Sequence, residues 1–439
     1  MKEIINKISK NNEIVCIVGL GYVGMPLTYG FAKVGINTIG YHYRQEKIND
    51  LKNGLDSTNE VSKEQLKDII DKGNIEFTAN PNDITKADFI IITVPTPVTK
   101  EKNPDISPVI NATHTVAKYM RRGAVVVYES TVYPGLTEEL CLPILEEDSG
   151  LKLGNDFHLG YSPERVNPGD KEHTTFKIKK VVSGYNAETG DILRSLYSKI
   201  IDAGVYVAKD IKTAEAAKVI ENTQRDLNIA LINELSIIFK KMDIDIYDVV
   251  DAASTKWNFH KYNPGLVGGH CIPVDPYYLL YKSEQMGYHP QIITAGRKIN
   301  DEMPLYLFNL IQKEYNKLKK VINESKVLFL GLTFKENIND LRNTQARDLI
   351  ELFREYGADI YGYEPNVDSK AIKKKFDIKS VDELEKGAYD CILITVAHNE
   401  FYDIDFDSLC NGDSFFVDIR GILNKAKINN RILSLGKDI

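Results

Sequence analysis

Cysteine is scarce in this 439-residue chain: there are five, at Cys16, Cys141, Cys271, Cys391 and Cys410, far apart and without a CxxC pair. That spacing argues against a disulfide framework and against a cysteine-rich zinc site, and no metal centre is expected. No apolar run approaches the ~18 residues of a membrane span. The stretch Met1–Glu13 is charged and lacks the apolar core of a signal peptide. Basic excess is missing too: 55 Lys and Arg against 62 Asp and Glu leave a formal net charge of −7. Nucleic-acid binders usually carry the opposite imbalance. No segment is of low complexity. What remains, 43% hydrophobic and 27% charged residues, is ordinary for a soluble globular chain. The length suits roughly two to four domains whose cores need no covalent staple. A cytoplasmic, multi-domain enzyme is the expected class.

The short apolar run Ile14–Val18 ends in Gly19, a helical pattern follows from about Met25 to Val34, and Asn37–Tyr43 reads as a second strand. This β-α-β unit implies a parallel sheet. The runs 88–94 and 124–128 are rich in Val and Ile without polar alternation, as buried parallel strands are. Residues 1–205 are therefore expected to form an α/β domain. Residues 210–242 contain neither Gly nor Pro and are rich in helix formers, which predicts one helix of roughly 45–50 Å. Such a helix either bridges domains or pairs with a partner chain, and it opens a helical region over 206–319. From Lys326 the first domain is echoed: KVLFLGL resembles IVCIVGL, and 390–396 and 415–419 echo 88–94 and 125–129. A second doubly wound domain is expected over 320–439. It lacks the glycine fingerprint, so it should not hold a dinucleotide in the same way.

Gly19-Leu-Gly-Tyr-Val-Gly24 is a GxGxxG turn between a strand and a helix, the context in which the pattern binds a dinucleotide pyrophosphate. The acid expected about 20 residues on, at the second strand's end, is absent: the strand ends Gly40-Tyr-His42-Tyr-Arg44. An Arg there can neutralise the 2′-phosphate of NADP, so NADP is expected to be accepted beside NAD. Cys271 lies in a glycine-dense segment four residues before Asp275, where backbone lets a substrate approach a thiol. A lone cysteine is more often an inert buried residue, but this polar setting favours a nucleophile. Lys218, Asn222 and Arg225, at i, i+4 and i+7, share one helix face that is either merely solvated or catalytic.

Several further motifs stand in order: VPTP at 94–97, ESTVYPG at 129–135, YSPERVNPGD at 161–170, AEAAKVIENTQRDLNIALINE at 214–234, NPGLVGGHCIPVDPYYL at 263–279 and GLTFKENINDLRNT at 331–344. With GLGYVG they resemble, over essentially the whole chain, the nucleotide-sugar 6-dehydrogenases of the UDP-glucose/GDP-mannose dehydrogenase family. One departure is His42, where that family usually carries an acid.

The resemblance implies two Rossmann-like domains joined by a long central helix and a helical domain, a homodimer or dimer-based oligomer, and a UDP-sugar substrate in the C-terminal domain. It implies oxidation of a sugar C6 alcohol to a carboxylate by two nicotinamide molecules. Cys271 would be the nucleophile, Lys218 and Asn222 the oxyanion partners, and Asp275 a base or water-orienting group. Glu164 would serve hydrolysis, with Thr131 holding the water. Gly19, Gly21, Tyr22, Val23, Gly24, His42, Arg44, Pro95, Thr96 and Thr131 would line the cofactor. Glu164, Arg165, Asn167, Lys218, Asn222, Arg225, Tyr262, Asn263, Gly268, Lys335 and Arg342 would contact the substrate. GLDSTNEV at 54–61 and the Cys271 segment are closer to the N-acetylhexosamine branch. UDP-N-acetylglucosamine or UDP-N-acetylgalactosamine is the expected substrate, ahead of UDP-N-acetylmannosamine and UDP-glucose. Hydroxyacid or phosphogluconate-type dehydrogenases would need neither Cys271 nor a second α/β domain. A non-catalytic nucleotide sensor would not need Cys271, Lys218 and Asp275 together.

Overall fold

A computed structural model describes residues 2–99, 101–166, 174–423 and 428–438. The chain divides into one compact unit of Met1–Glu221 with Tyr277–Gly287, and another of Asn222–Pro276 with Tyr288–Ile439. Asn167 lies outside the described residues.

The first unit holds an eight-stranded sheet in the order β3-β2-β1-β4-β5-β6-β7-β8. Its strands are β1 (Ile14–Val18), β2 (Asn37–Tyr41), β3 (Ile75–Thr78), β4 (Phe89–Ile92), β5 (Val125–Tyr128), β6 (His158–Tyr161), β7 (Lys180–Gly184) and β8 (Val205–Val207). All pair in parallel except β6 with β7. The sequence dictates this: FIII of β4 and VVVY of β5 are buried at every position, as strands covered by helices on both faces must be. Val15, Ile17, Phe89, Ile91, Val125 and Val127 share a core with Leu27 and Phe31 and with Leu193 and Tyr197.

The second unit holds β9 (Lys326–Leu330), β10 (Asp359–Tyr363), β11 (Lys379–Ser380), β12 (Tyr389–Ile394), β13 (Cys410–Asp418) and β14 (Arg431–Ser434) in the order β11-β10-β9-β12-β13-β14. Every pairing is parallel. Counted within the unit, that order is 3-2-1-4-5-6, the doubly wound dinucleotide-domain arrangement. In both sheets the strand order reverses beside the first strand, so a crevice opens beyond the carboxyl ends there.

The helix expected over 210–242 runs over Ile211–Lys241, 31 residues without a break. Its buried arc carries Glu215, Lys218, Asn222, Asp226, Asn233 and Ser236, an unusually polar set. Arg225 does not join it: the arc centres on Asn222, Asp226 and Asn233, and Arg225, at the edge, is exposed. On the opposite side Ile220, Leu231 and Ile238 are exposed by 56%, 52% and 44%. Their spacings of 11 and 7 place them on one stripe. No described helix is long and apolar enough to cross a membrane.

Candidate active site

In the first unit the glycine turn sits at the sheet's crevice. Gly19 takes a φ of +104°, a left-handed conformation that suits glycine. A Cβ on Gly24 would lie 1.9 Å from the Gly19 carbonyl oxygen, so the third glycine is required for helix and turn to touch. A Cβ on Gly21 would meet nothing within 4 Å. The turn thus leaves open space in front of the helix beginning at Gly24, where a pyrophosphate can approach backbone amides. The residues fit a bound dinucleotide. Tyr22 is exposed and Val23 half-buried beside that opening. Across the crevice the Thr93 hydroxyl donates to the Gly19 carbonyl at 2.5 Å. Exposed Pro95 and half-buried Thr96 follow at the end of β4, and the Tyr278 hydroxyl donates to the Thr96 carbonyl at 2.9 Å.

The end of β2 is cationic, with no carboxylate among Tyr41–Gln45. The His42 Nδ1 accepts from the Arg44 amide at 3.1 Å, and its ring stacks on Tyr43. The exposed Arg44 side chain turns onto the same ring, its Nε donating to the Tyr43 hydroxyl at 2.9 Å. Burial, with Lys47 and Arg44 nearby, lowers the His42 pKa below the ordinary histidine range, so the ring is neutral at pH 7.

Half-buried Thr131 follows β5 in a loop that is tied down on both sides. The Ser130 hydroxyl donates to the Val94 carbonyl at 2.7 Å. Glu215 accepts from the amides of Gly135 and Thr137 at 2.5 and 3.1 Å. Burial pushes the Glu215 carboxyl up to about 7 against those amides. Lys218 lies one turn further along the same helix and is 6% exposed. Glu164, after β6, accepts from the amides of Arg165 and Val166 at 2.7 Å each. Arg165 itself reaches Glu221 at 2.7 Å. Behind Glu164 lies a buried pair that sequence reasoning missed: Lys180 Nζ is 2.6 Å from Glu129 Oε2, and the Tyr197 hydroxyl donates to Glu129.

In the second unit Cys271 is half-buried on a turn. Its carbonyl accepts from the amides of Val274 and Asp275 at 3.1 and 2.8 Å, so the thiol stands at the threshold of the helix Asp275–Gln285. Asp275 is 2% exposed, and its Oδ2 accepts from Asn222 Nδ2 at 2.6 Å. That leaves the second amide hydrogen of Asn222 for another acceptor. The loop before Cys271 is held by carboxamides. Asn233 both donates to the Gly265 carbonyl (3.0 Å) and accepts from its amide (2.8 Å), and Gln345 accepts from the Val267 amide at 2.6 Å. A Cβ on Gly268 would meet Phe334 Cβ at 2.7 Å and the Asn343 carbonyl at 2.9 Å. This close approach seats the glycine pair on the 331–344 segment, so the fold joins two motifs that lie far apart in sequence.

That segment carries Lys335, half-buried, and Arg342. The Arg342 guanidinium is not a bare cation: it grips Asp340 through Nε at 2.9 Å and Nη2 at 2.7 Å. His270 Nε2 lies 3.6 Å from the same carboxylate. Despite burial, the nearby His270 ring and the hydrogen bonds from Arg342 hold Asp340 well below the ordinary carboxylate range. A further cation missed in the sequence, Arg420, pairs with Glu336 and lies 3.1 Å from the position of a Cβ on Gly265. Only the DIRG stretch after β13 could have suggested it. Tyr262 packs half-buried against Ile232, Ile246 and Val250, and Asn263 is exposed.

Residues 13–201 match the NAD binding domain of the UDP-glucose/GDP-mannose dehydrogenase family, 212–302 its central domain and 328–425 its UDP binding domain. The chain is 48% identical over 420 residues to Protein CapL of Staphylococcus aureus, covering 95% of this chain and 98% of that one. It is 47% identical over 421 residues to the UDP-N-acetyl-D-glucosamine 6-dehydrogenase of Pseudomonas aeruginosa, covering 95% and 99%. Among solved structures, the UDP-D-ManNAc dehydrogenase of Pyrococcus horikoshii superposes with a TM-score of 0.88 at 30% identity, over 97% of this chain and 99% of that one.

Proposed function

The chain belongs to the UDP-glucose/GDP-mannose dehydrogenase family, and on that premise we propose that it oxidises the C6 alcohol of a UDP-N-acetylhexosamine, UDP-N-acetyl-D-glucosamine first, to the carboxylate. The observation that carries this reading is Cys271 on its glycine turn, four residues before a buried Asp275 held by Asn222. We divide the chain into a cofactor domain at 1–205, a helical domain at 206–319 and a UDP-sugar domain at 320–439. A surface-polysaccharide role agrees with the likeness to CapL. The free cysteines suit a reducing compartment, the cytoplasm.

Nicotinamide, when bound, would supply the hydride acceptor, a fresh molecule for each of the two oxidations. In the first, a base takes the C6 hydroxyl proton as hydride leaves, and Asp275 or a water it orients fills that role. The Cys271 thiolate then adds to the aldehyde: the C–S bond forms and the carbonyl oxygen takes the charge. The Lys218 ammonium and the remaining Asn222 amide hydrogen stabilise that oxyanion. Oxidation of this thiohemiacetal leaves a thioester on Cys271. Water, held with Thr131, attacks the carbonyl and gives its proton to Glu164; the C–S bond breaks and the thiolate returns. Lys335 and Arg342 face the diphosphate, Arg342 with its fork fixed by Asp340, and Arg165, Arg225, Tyr262, Asn263, Gly268 and Asn167 complete the substrate contacts.

We further propose that NADP is accepted at least comparably with NAD, because the end of β2 has no carboxylate to repel a 2′-phosphate. The working form is a homodimer or an assembly of dimers, supported by the exposed Ile220, Leu231 and Ile238 stripe. Leu231→Glu should release monomers in sedimentation. The primary test is a panel of UDP-sugars against NAD and NADP, counting reduced cofactor per product. Two per sugar acid, lost in Cys271→Ser, supports the reading; one per product, or none, sinks it.

A further inference from the structure

The Lys180–Glu129 pair does more than fill the core of the first unit. Lys180 is 4% exposed and Glu129 1%. Burying two charges together stabilises little compared with an apolar filling, so such a pair stands out where it also reaches a reacting group. Lys180 reaches one. Its Nζ lies 2.6 Å from Glu129 Oε2 and 3.6 Å from Glu164 Oε2. The other Glu164 oxygen is spent on the amides of Arg165 and Val166. Oε2 itself is buried and accepts no hydrogen bond from a described residue. A carboxylate oxygen in that situation is costly unless a cation stands near. The charged and titratable groups around it come from separate elements. Lys180 is on β7, Glu129 is at the end of β5, and Tyr197 is on the helix Ala187–Tyr197; Arg165, beside it, turns off to Glu221 and the Lys179 carbonyl.

We propose that Lys180 is a positioning residue for thioester hydrolysis: its ammonium, shared between Glu129 and Glu164, holds the Glu164 carboxylate aimed as the group that takes the proton of the attacking water. The proposal rests on the reading of Glu164 as the hydrolytic base. Burial opposes the Lys180 charge, but Glu129 and Glu164 hold it above the ordinary lysine range. Glu129, steadied by the Tyr197 hydroxyl, competes with Glu164 for one cation. Its removal and the removal of the cation should therefore act in opposite directions.

The test measures kcat against pH, and the covalent adduct on Cys271 by intact mass after rapid quenching, in the full-length protein. Glu129→Gln leaves the whole ammonium to Glu164, so the acidic limb of kcat moves to lower pH. Lys180→Met with Glu129→Gln removes both charges together, which spares the fold an unpaired buried carboxylate. There the limb moves to higher pH by about one unit. On that limb kcat falls about tenfold at a given pH, the thioester accumulates, and the first reduced cofactor still forms. Lys180→Arg restores most of the rate. A merely structural role would lower activity in each variant without moving the limb in opposite directions. Limbs that stay put or move together in folded variants overturn the inference. Glu164→Gln separates the two levels. If it accumulates the thioester while the charge-free double variant does not, Lys180 alone loses its role. If it accumulates none, the hydrolytic reading of Glu164 falls and this inference with it.

Discussion

The two sheets share a frame and differ at its mouth. Gly19 and Gly331 both end a first strand with positive φ, +104° and +86°, and both donate their amide to the last residue of the second strand, Tyr41 and Tyr363, at 3.0 Å. Asp88 and Asp390 each bind the amide that opens the first strand, at 2.9 and 3.0 Å. Thr93 and Thr395 each turn a hydroxyl back onto the glycine carbonyl. Beyond this frame they part. In the first unit a helix begins at Gly24; in the second no helix begins until Ala346. The intervening loop instead seats Gly268 and Gly269. The second strand is followed by His42 in one sheet and by Glu364 in the other. Glu364 is not offered to a ligand's ribose: it accepts from the amides of Leu332 and Thr333 at 2.8 and 3.1 Å, and lies 3.0 Å from His398 Nε2. The amides that could face a pyrophosphate are used internally. One architecture thus carries an open phosphate cradle and, elsewhere, a cradle closed by its own carboxylate.

The largest expected effect comes from filling the open cradle. Gly24→Ala forces helix and turn apart, so kcat/KM for the cofactor should fall at least about 100-fold, with about 2–3 kcal/mol lost on denaturant unfolding. Glu336→Ala, five residues past Gly331 in the other unit, should change cofactor kcat/KM by less than about twofold. Equal losses would mean that the two mouths are not built differently.

Next, Glu364→Ala leaves two buried amides and His398 without their acceptor, and should lower stability by about 3 kcal/mol without creating a second dinucleotide site in calorimetric titration. Burial pushes the Glu364 carboxyl up, but His398 and the amides win and hold it below its ordinary 4.5. Its contribution is therefore complete above that value and disappears as pH falls through the lower, folded value. Glu364→Gln should flatten this acid limb of stability; an unaltered limb would assign it to other carboxylates.

Third is His42→Asp, which supplies the missing acid. The ratio of kcat/KM for NAD over NADP should rise about tenfold, the scale of one lost charge-assisted contact. A strong NAD preference in the unchanged protein, unmoved by the substitution, would put selectivity elsewhere.

The smallest effect is in the pH dependence of that ratio. Since the His42 pKa is lowered, the ring gains its proton only below the ordinary range. NADP should therefore improve relative to NAD by about two- to threefold between pH 7 and pH 5.5. A flat ratio would mean that this ring does not face the phosphate.

The apolar runs made the strands legible: FIII and VVVY can only be covered strands, and the glycine turn announces its own conformation. The repeat was legible for the same reason, since frame residues such as Asp88 and Asp390 sit at matching places beside matching runs. Buried charge was not legible. Lys180, in KIKKVV, reads as a solvated residue flanking a strand, because its partner Glu129 is 51 positions away. The exposure of Arg225 was not legible for a subtler reason. Its i+7 offset fits the Lys218 face on an ideal helix, but the arc that packing selects is rotated toward Asp226. Periodicity gives spacing, and only the neighbours choose the centre of the face.

The Cys271 loop is moored by the side-chain amides of Asn233, Asn343 and Gln345, with Asn300 accepting from Asn233 and its carbonyl receiving Gln345 at 2.8 Å. None of these amide tethers gains or loses a proton across the range in which a protein stays folded. The amide tethers themselves are therefore indifferent to acidity, while the ionic contacts near them lie at Asp226, to which Asn300 donates at 2.8 Å, and at Asp340 beside His270. A bend in the rate of thioester formation against pH then reports protons moving on the thiol, the sugar or the groups beside them, with no share from these tethers letting go.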